Sequence, residues 1–132
     1  MISKTAEYAL RAMVCLAKQQ PGTSLTNKQI AAATGIPLPY LSKVMLSLCR
    51  AGLISARRGR GGGLALTQKP ENITILDIIE AVDPIKEVSG CPLKLKSHQT
   101  QLCPLHSRLN EATVMIKQAF SRTTLSEMIT QK

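Results

Sequence analysis

The chain has 132 residues and a formal net charge of +9, with 44% apolar side chains but only two tyrosines, one phenylalanine and no tryptophan. That length suits one domain of ordinary size with an aliphatic core, which favours helices packed on helices. No apolar run nears the roughly 20 residues that span a bilayer and the amino terminus lacks the apolar segment of a signal peptide, so no membrane partner and a cytoplasmic location are expected.

The charge is unevenly spread. Residues 1–69 carry ten Lys and Arg against one acid, Glu7, whereas residues 70–132 carry seven of each. A polyanion docking on the front half explains that asymmetry better than a merely solvated face does.

From Ser3 to about Lys18 the chain reads as an amphipathic helix with Ala6, Ala9, Leu10, Met13, Leu16 and Ala17 inward. Glu7 and Arg11 lie one turn apart and are expected to pair at the surface. Cys15 and Cys49 read as small buried apolar groups. After the Gln20 to Ser24 turn, Thr26 and Gln29 have the spacing of a capping box. The helix they open carries Ile30 and Ala33 inward and stops at Thr34-Gly35. Pro39 suits the first turn of a second helix, in which Leu41, Val44, Met45 and Leu48 recur at three and four and which Gly52 closes. Two short helices around a tight glycine turn are a helix-turn-helix.

Residues 53–56 and 64–66 then flank Arg57-Arg58-Gly59-Arg60-Gly61-Gly62-Gly63. Two apolar runs around a glycine-rich link predict a β-hairpin, a wing whose backbone can approach another polymer. Thr74 caps a further helix through Val82, ended by Asp83-Pro84. Residues 85–102 show no clean periodicity, and a connection of that length usually has a function. Pro104 opens the last long helix, with Leu102, Leu105, Leu109, Ala112, Ile116 and Ala119 at alternating steps of three and four. Such a seam is the narrow stripe of helix pairing and predicts a homodimer, a monomer burying it on the helix at 75–82 being the alternative. Thr124 and Glu127 repeat the capping-box spacing before a final helical turn.

Pro104 makes Cys103 the N-cap and sets His106 one turn along, next to the positive end of the helix dipole, where a thiol ionises more easily. Cys91, with eleven residues between it and Cys103, could join them. Cys91, Cys103 and His106 are a candidate three-ligand metal set with His98 or Glu7 as the fourth; the alternative is a pair of free thiols beside an exposed histidine. A hydrolase or redox enzyme using Cys103 and His106 as nucleophile and base is disfavoured, because no orienting acid or oxyanion-hole motif accompanies them.

The chain resembles the IscR and NsrR family of bacterial winged-helix regulators, dimeric DNA-binding proteins of which many carry an iron-sulfur cluster. The resemblance rests on Tyr8-Ala9-Leu10-Arg11, on Gly35-Ile36-Pro37-Leu38-Pro39-Tyr40-Leu41, on Gly52-Leu53-Ile54, on the wing glycines, on residues 74–83 and on Thr124-Leu125-Ser126-Glu127. It implies a mainly α fold, with a winged helix-turn-helix over residues 1–72 and a sensor loop and long dimerisation helix over residues 73–132 of the same domain. It also implies a regulator, more in keeping with a repressor, that binds a pseudo-palindromic operator. Pro39, Tyr40, Ser42 and Lys43 would face the major groove, and Lys28, Ser47 and Arg50 the phosphates. Arg57, Arg58 or Arg60 would enter the minor groove.

Cluster-bearing relatives show three cysteines in the loop, some with a histidine three residues after the last. Cys91, Cys103 and His106 fall on matching places, Ser97 stands at the middle one, and Glu7 matches a carboxylate that other relatives supply from the partner subunit. Two thiolates with nitrogen or oxygen ligands resemble the mixed ligation of a 2Fe-2S centre. Other relatives have no cluster and respond to a small molecule or a partner protein, so a thiol switch or a cluster-free regulator stays open.

Overall fold

The computed structural model describes residues 2–59, 62–87, 93 and 104–130. Helix α1 (Lys4–Ala17) runs through the middle of the fold and packs on α2 (Asn27–Thr34), α3 (Leu38–Arg50), α4 (Ile75–Val82) and α6 (Leu125–Thr130). Ser3 caps it by accepting from the Ala6 amide at 3.1 Å. The inward set is the expected one with two adjustments: Ala12 is fully buried as well, and Leu10 is only half-buried. Small alanines at 6, 9 and 12 let the neighbouring helices come close. Met13, Ile30, Leu41, Met45, Leu48 and Leu125 then fill one shared aliphatic core, each contributing about 1.5–3 kcal/mol by leaving water.

Strands β1 (Ile54–Arg57) and β2 (Gly63–Leu66) pair antiparallel, Ile54 opposite Leu66 and Arg57 opposite Gly63. Leu25 extends the ladder by one residue, since its amide donates to the Leu64 carbonyl at 3.0 Å and its carbonyl accepts from the Leu64 amide at 2.7 Å. Gly63 makes that approach feasible. Its φ is +148°, and a Cβ there would lie 2.6 Å from both the carbonyl carbon and oxygen of Leu25.

A short 3-10 turn, Pro70–Asn72, leads to α4, whose Thr74 and Asp77 form a reciprocal capping box at 2.9 and 3.0 Å. Helix α5 (Pro104–Ser121) rests on α4. Phe120 packs against Ile75 and Ile79, while Lys117 and Glu80 pair at 3.7 Å. The chain then folds back, with Leu125 donating to the Ile73 carbonyl at 2.7 Å and Ile75 to that of Thr123 at 2.9 Å, so that α6 lies on α1.

Two expectations are corrected or resolved. Ala33 is exposed: α2 reaches the core mainly through Ile30, and Ala33, one step round the helix, lines a surface groove with Leu10, Arg11 and Val14. Along α5 the seam residues Leu105 and Leu109 remain 40% and 37% exposed, so α4 does not cover them within one chain. Among the described residues no helix is long and apolar enough to cross a membrane.

Candidate nucleic-acid interface

The helix-turn-helix is fixed at three points. The Thr26 amide donates to Gln29 Oε1 at 2.8 Å and the Gln29 amide to Thr26 Oγ1 at 3.2 Å, which satisfies two N–H groups at the start of α2. Gly35 ends that helix at φ +75°, its amide bonded to the Ala31 carbonyl at 2.8 Å. A guanidinium N–H of Arg11 donates to the Thr34 carbonyl, so a cation from α1 holds the negative end of the α2 dipole where the chain turns.

Helix α3 then presents two faces. Leu41, Val44, Met45 and Leu48 are buried, while Pro39, Tyr40, Ser42, Lys43 and Arg50 are exposed and Ser47 is half-buried, its hydroxyl donating to the Lys43 carbonyl at 3.3 Å. The sequence-expected base-reading and phosphate residues of this helix therefore lie together on one surface. Leu46, not singled out from the sequence, joins them at 50% exposure. The signal was available, because Leu46 falls one turn after Ser42, off the buried stripe. An exposed aliphatic side chain on such a helix can contact a thymine methyl. Lys28 is exposed on α2.

Tyr40, 59% exposed, is braced from α1: its ring centroid lies 6.4 Å from that of Tyr8, and Lys4 Nζ and the Arg11 guanidinium sit 5.3 and 5.8 Å from the Tyr8 centroid. At the wing, Arg57 Nη1 donates to the Gly22 carbonyl at 3.0 Å, which ties the base of the hairpin to the turn after α1. Arg58 is exposed beside Gly59, whose φ of +94° and carbonyl bond from the Gly62 amide at 2.9 Å form the tip. Of the three wing arginines, then, Arg57 has a role in the base and Arg58 projects; Arg60 lies outside the described residues.

The candidate metal ligands divide differently. Cys91, His98 and Cys103, with Ser97, lie outside the described residues. His106 is buried in the first turn of α5, so the alternative of an exposed histidine does not hold. Glu7 is exposed on α1 and pairs with Lys4 at 3.4 Å and Arg11 at 3.9 Å, as the sequence suggested for Arg11. Among the described residues no three His, Cys, Asp or Glu side chains converge on a point. The donor chemistry of the sequence set, two thiols and an imidazole, fits a mixed-ligand cluster. Cys15 and Cys49 are half-buried; burial pushes both thiols above their ordinary value, with Lys18 pulling Cys15 partly back.

A family model described as an iron-dependent transcriptional regulator, Rrf2, matches residues 2–131. An HTH-type transcriptional regulator of Aquifex aeolicus is 32% identical over 132 residues, covering 98% of this chain and 91% of the relative. The HTH-type regulator NsrR of Bacillus subtilis is 29% identical over 99% of this chain and 91% of its own length. Among solved structures, CymR, the global cysteine regulator of B. subtilis, superposes with a TM-score of 0.78 at 27% identity, covering 98% of this chain and 95% of that one. The T. potens IscR structure does so with a TM-score of 0.80 at 25% identity, covering 98% and 85%. These relatives are regulators of transcription, not enzymes.

Proposed function

Because the chain belongs to the Rrf2 family of transcriptional regulators, we propose that it acts as a homodimeric repressor that reads a pseudo-palindromic operator and senses redox, iron-sulfur or nitric oxide status through residues 91–106. The observation that carries the DNA half of this reading is the outward surface of α3, where Pro39, Tyr40, Ser42, Lys43 and Arg50 stand together in the half of the chain whose only acid is Glu7. Base edges would be met by Pro39, Tyr40, Ser42 and Lys43. Phosphates would be met by Lys28, Ser47 and Arg50, and the adjacent minor groove by Arg58 with Arg57 or Arg60. Dimerisation through the exposed Leu105 and Leu109 of α5 would set two such helices one or more turns of DNA apart.

Cys91, Cys103 and His106 would hold an iron-sulfur cluster of the 2Fe-2S type, with His98 or the partner subunit's Glu7 as fourth ligand. When bound, such a group supplies a centre sensitive to oxidants and nitric oxide. The chain's own part is mechanical: His106 is buried in the first turn of α5, α5 rests on α4, and α4 packs on both α1 and α3. A change at that turn therefore has a continuous packed route to the reading helix.

A second reading keeps DNA binding without a cluster. It is supported by Ser97 at the middle thiol place and by the likeness to CymR, and its signal would be a small molecule, thiol oxidation or a protein partner. Selection of bound sequences from a random duplex pool tests the shared part, with enrichment of an inverted repeat as the expected result and no enrichment as the contrary one. Anaerobic purification separates the two readings. Absorbance above about 400 nm with stoichiometric iron and sulfide, lost in Cys91→Ala, supports the cluster; colourless anaerobic protein favours the second reading.

A further inference from the structure

A cavity of about 480 Å³ opens between the start of α1 and the flank of α3. On α3 it is lined by Tyr40, Lys43, Val44 and Ser47, which are spaced as one helical stripe, and on α1 by Lys4, Thr5 and Tyr8, which share a face. Two tyrosine rings and Val44 thus make walls, while two ammonium groups and two hydroxyls line the same space. That set suits a compact anion, with cations and hydroxyls to meet its charge and rings to wall off its flank.

Three of the α3 residues also belong to the surface read above as the DNA face, so the cavity is continuous with that face. The α1 residues have no part in that reading. Building on the DNA-binding reading, we infer that this cavity seats a backbone phosphodiester of the duplex, with Lys4 and Thr5 as phosphate contacts and Tyr8 as a positioning residue for both Lys4 and Tyr40. A recognition helix in the major groove brings a sugar-phosphate rail alongside its flank, and contacts to that rail fix its register. Lys4 is placed for this role, because its ammonium lies over the Tyr8 ring, 5.3 Å from the ring centre, on the cavity side of α1. Its pairing with Glu7 is no obstacle: both side chains are exposed, and solvent screens such a pair to little net worth.

The test is the salt dependence of binding to a labelled duplex by fluorescence anisotropy, with the full chain. Neutralising one phosphate contact lowers the slope of log K against log salt by about 0.9 and weakens binding about fivefold at 0.15 M salt. Lys4→Gln is expected to do both, Lys4→Arg to restore most of the loss, and Lys117→Gln, on α5, to do neither. Thermal melts confirm that the exposed Lys4 variants fold. Tyr8→Leu is expected to lose affinity toward the Lys4→Gln value, whereas Tyr8→Phe keeps it. Arg58→Gln separates this inference from the reading beneath it. If Arg58→Gln flattens the slope while Lys4→Gln behaves like Lys117→Gln, the phosphate seat is overturned and the DNA reading stands. If neither variant changes the slope, both are overturned.

Discussion

Replacing Gly63 by alanine puts the attachment of the wing to the helical body under test. The new Cβ would lie 2.6 Å from the carbonyl carbon and oxygen of Leu25 and 3.0 Å from the Thr26 amide nitrogen, all of them backbone atoms that cannot swing aside. The chain then has two ways to respond. It can keep the ladder and hold alanine at φ +148°, a conformation for which strain is about 1–3 kcal/mol. Otherwise β2 can withdraw from Leu25 and give up the paired bonds of 3.0 and 2.7 Å, at about 1 kcal/mol each. Keeping the ladder also leaves the 2.6 Å contacts to be relieved, so withdrawal is the cheaper route and about 2 kcal/mol is expected, a large share of the 5–15 kcal/mol typical of a domain and on the order of 10 °C in melting temperature. Equilibrium urea unfolding measures it directly. Gly22→Ala is the proper reference, since Gly22 has φ +86° but nothing within 4 Å of its added Cβ, leaving only the backbone penalty of about 1 kcal/mol. Equal losses for the two variants would refute the claim that close approach to Leu25 dictates glycine at 63.

Thr26→Ala removes the acceptor for the Gln29 amide and is expected to cost about 1 kcal/mol in the same unfolding experiment; an unchanged midpoint would show the cap to be idle. The raised pKa values of Cys15 and Cys49 mean that the folded protein holds these protons more tightly than the unfolded chain. Their contribution is therefore intact below the ordinary thiol pKa and is lost as pH climbs through the folded values. Urea midpoints should fall on the alkaline side of that pKa, and the fall should be smaller in Cys15→Ala/Cys49→Ala; identical pH profiles would contradict this. Leu105→Asp with Leu109→Asp, at positions already exposed in the single chain, should yield monomers by sedimentation without lowering the intrinsic melting temperature, and a persistent dimer would move the interface elsewhere.

Much of the front half was legible because its signals are local. The Thr26/Gln29 and Thr74/Asp77 spacings, the left-handed glycines at 35 and 52 and the proline at 39 act within one turn of helix, and all took the expected places. The stripe of α3 was equally readable, since burial there follows a single helical period. Ala33 was misjudged because periodicity says which residues share a face but not how wide a face a neighbouring element covers. Leu46, and the meeting of Lys4, Thr5 and Tyr8 with α3, escaped notice for a related reason. Long-range juxtaposition of α1 and α3 leaves no trace in the spacing of either helix alone. The Arg57 bond to Gly22 is likewise tertiary, and it turns one of three equivalent-looking wing arginines into a brace.

Binding of one duplex across a range of salt, wild type beside the Lys28→Gln/Arg50→Gln/Arg58→Gln variant, bears most directly on the central claim that the cationic front half grips DNA. The wild type should lose affinity steeply as salt rises, and the variant's slope should be shallower by about 2.7 if each of the three charges, the groove-entering Arg58 included, displaces one counterion. A wild-type affinity indifferent to salt, or parallel slopes for the two proteins, would contradict it.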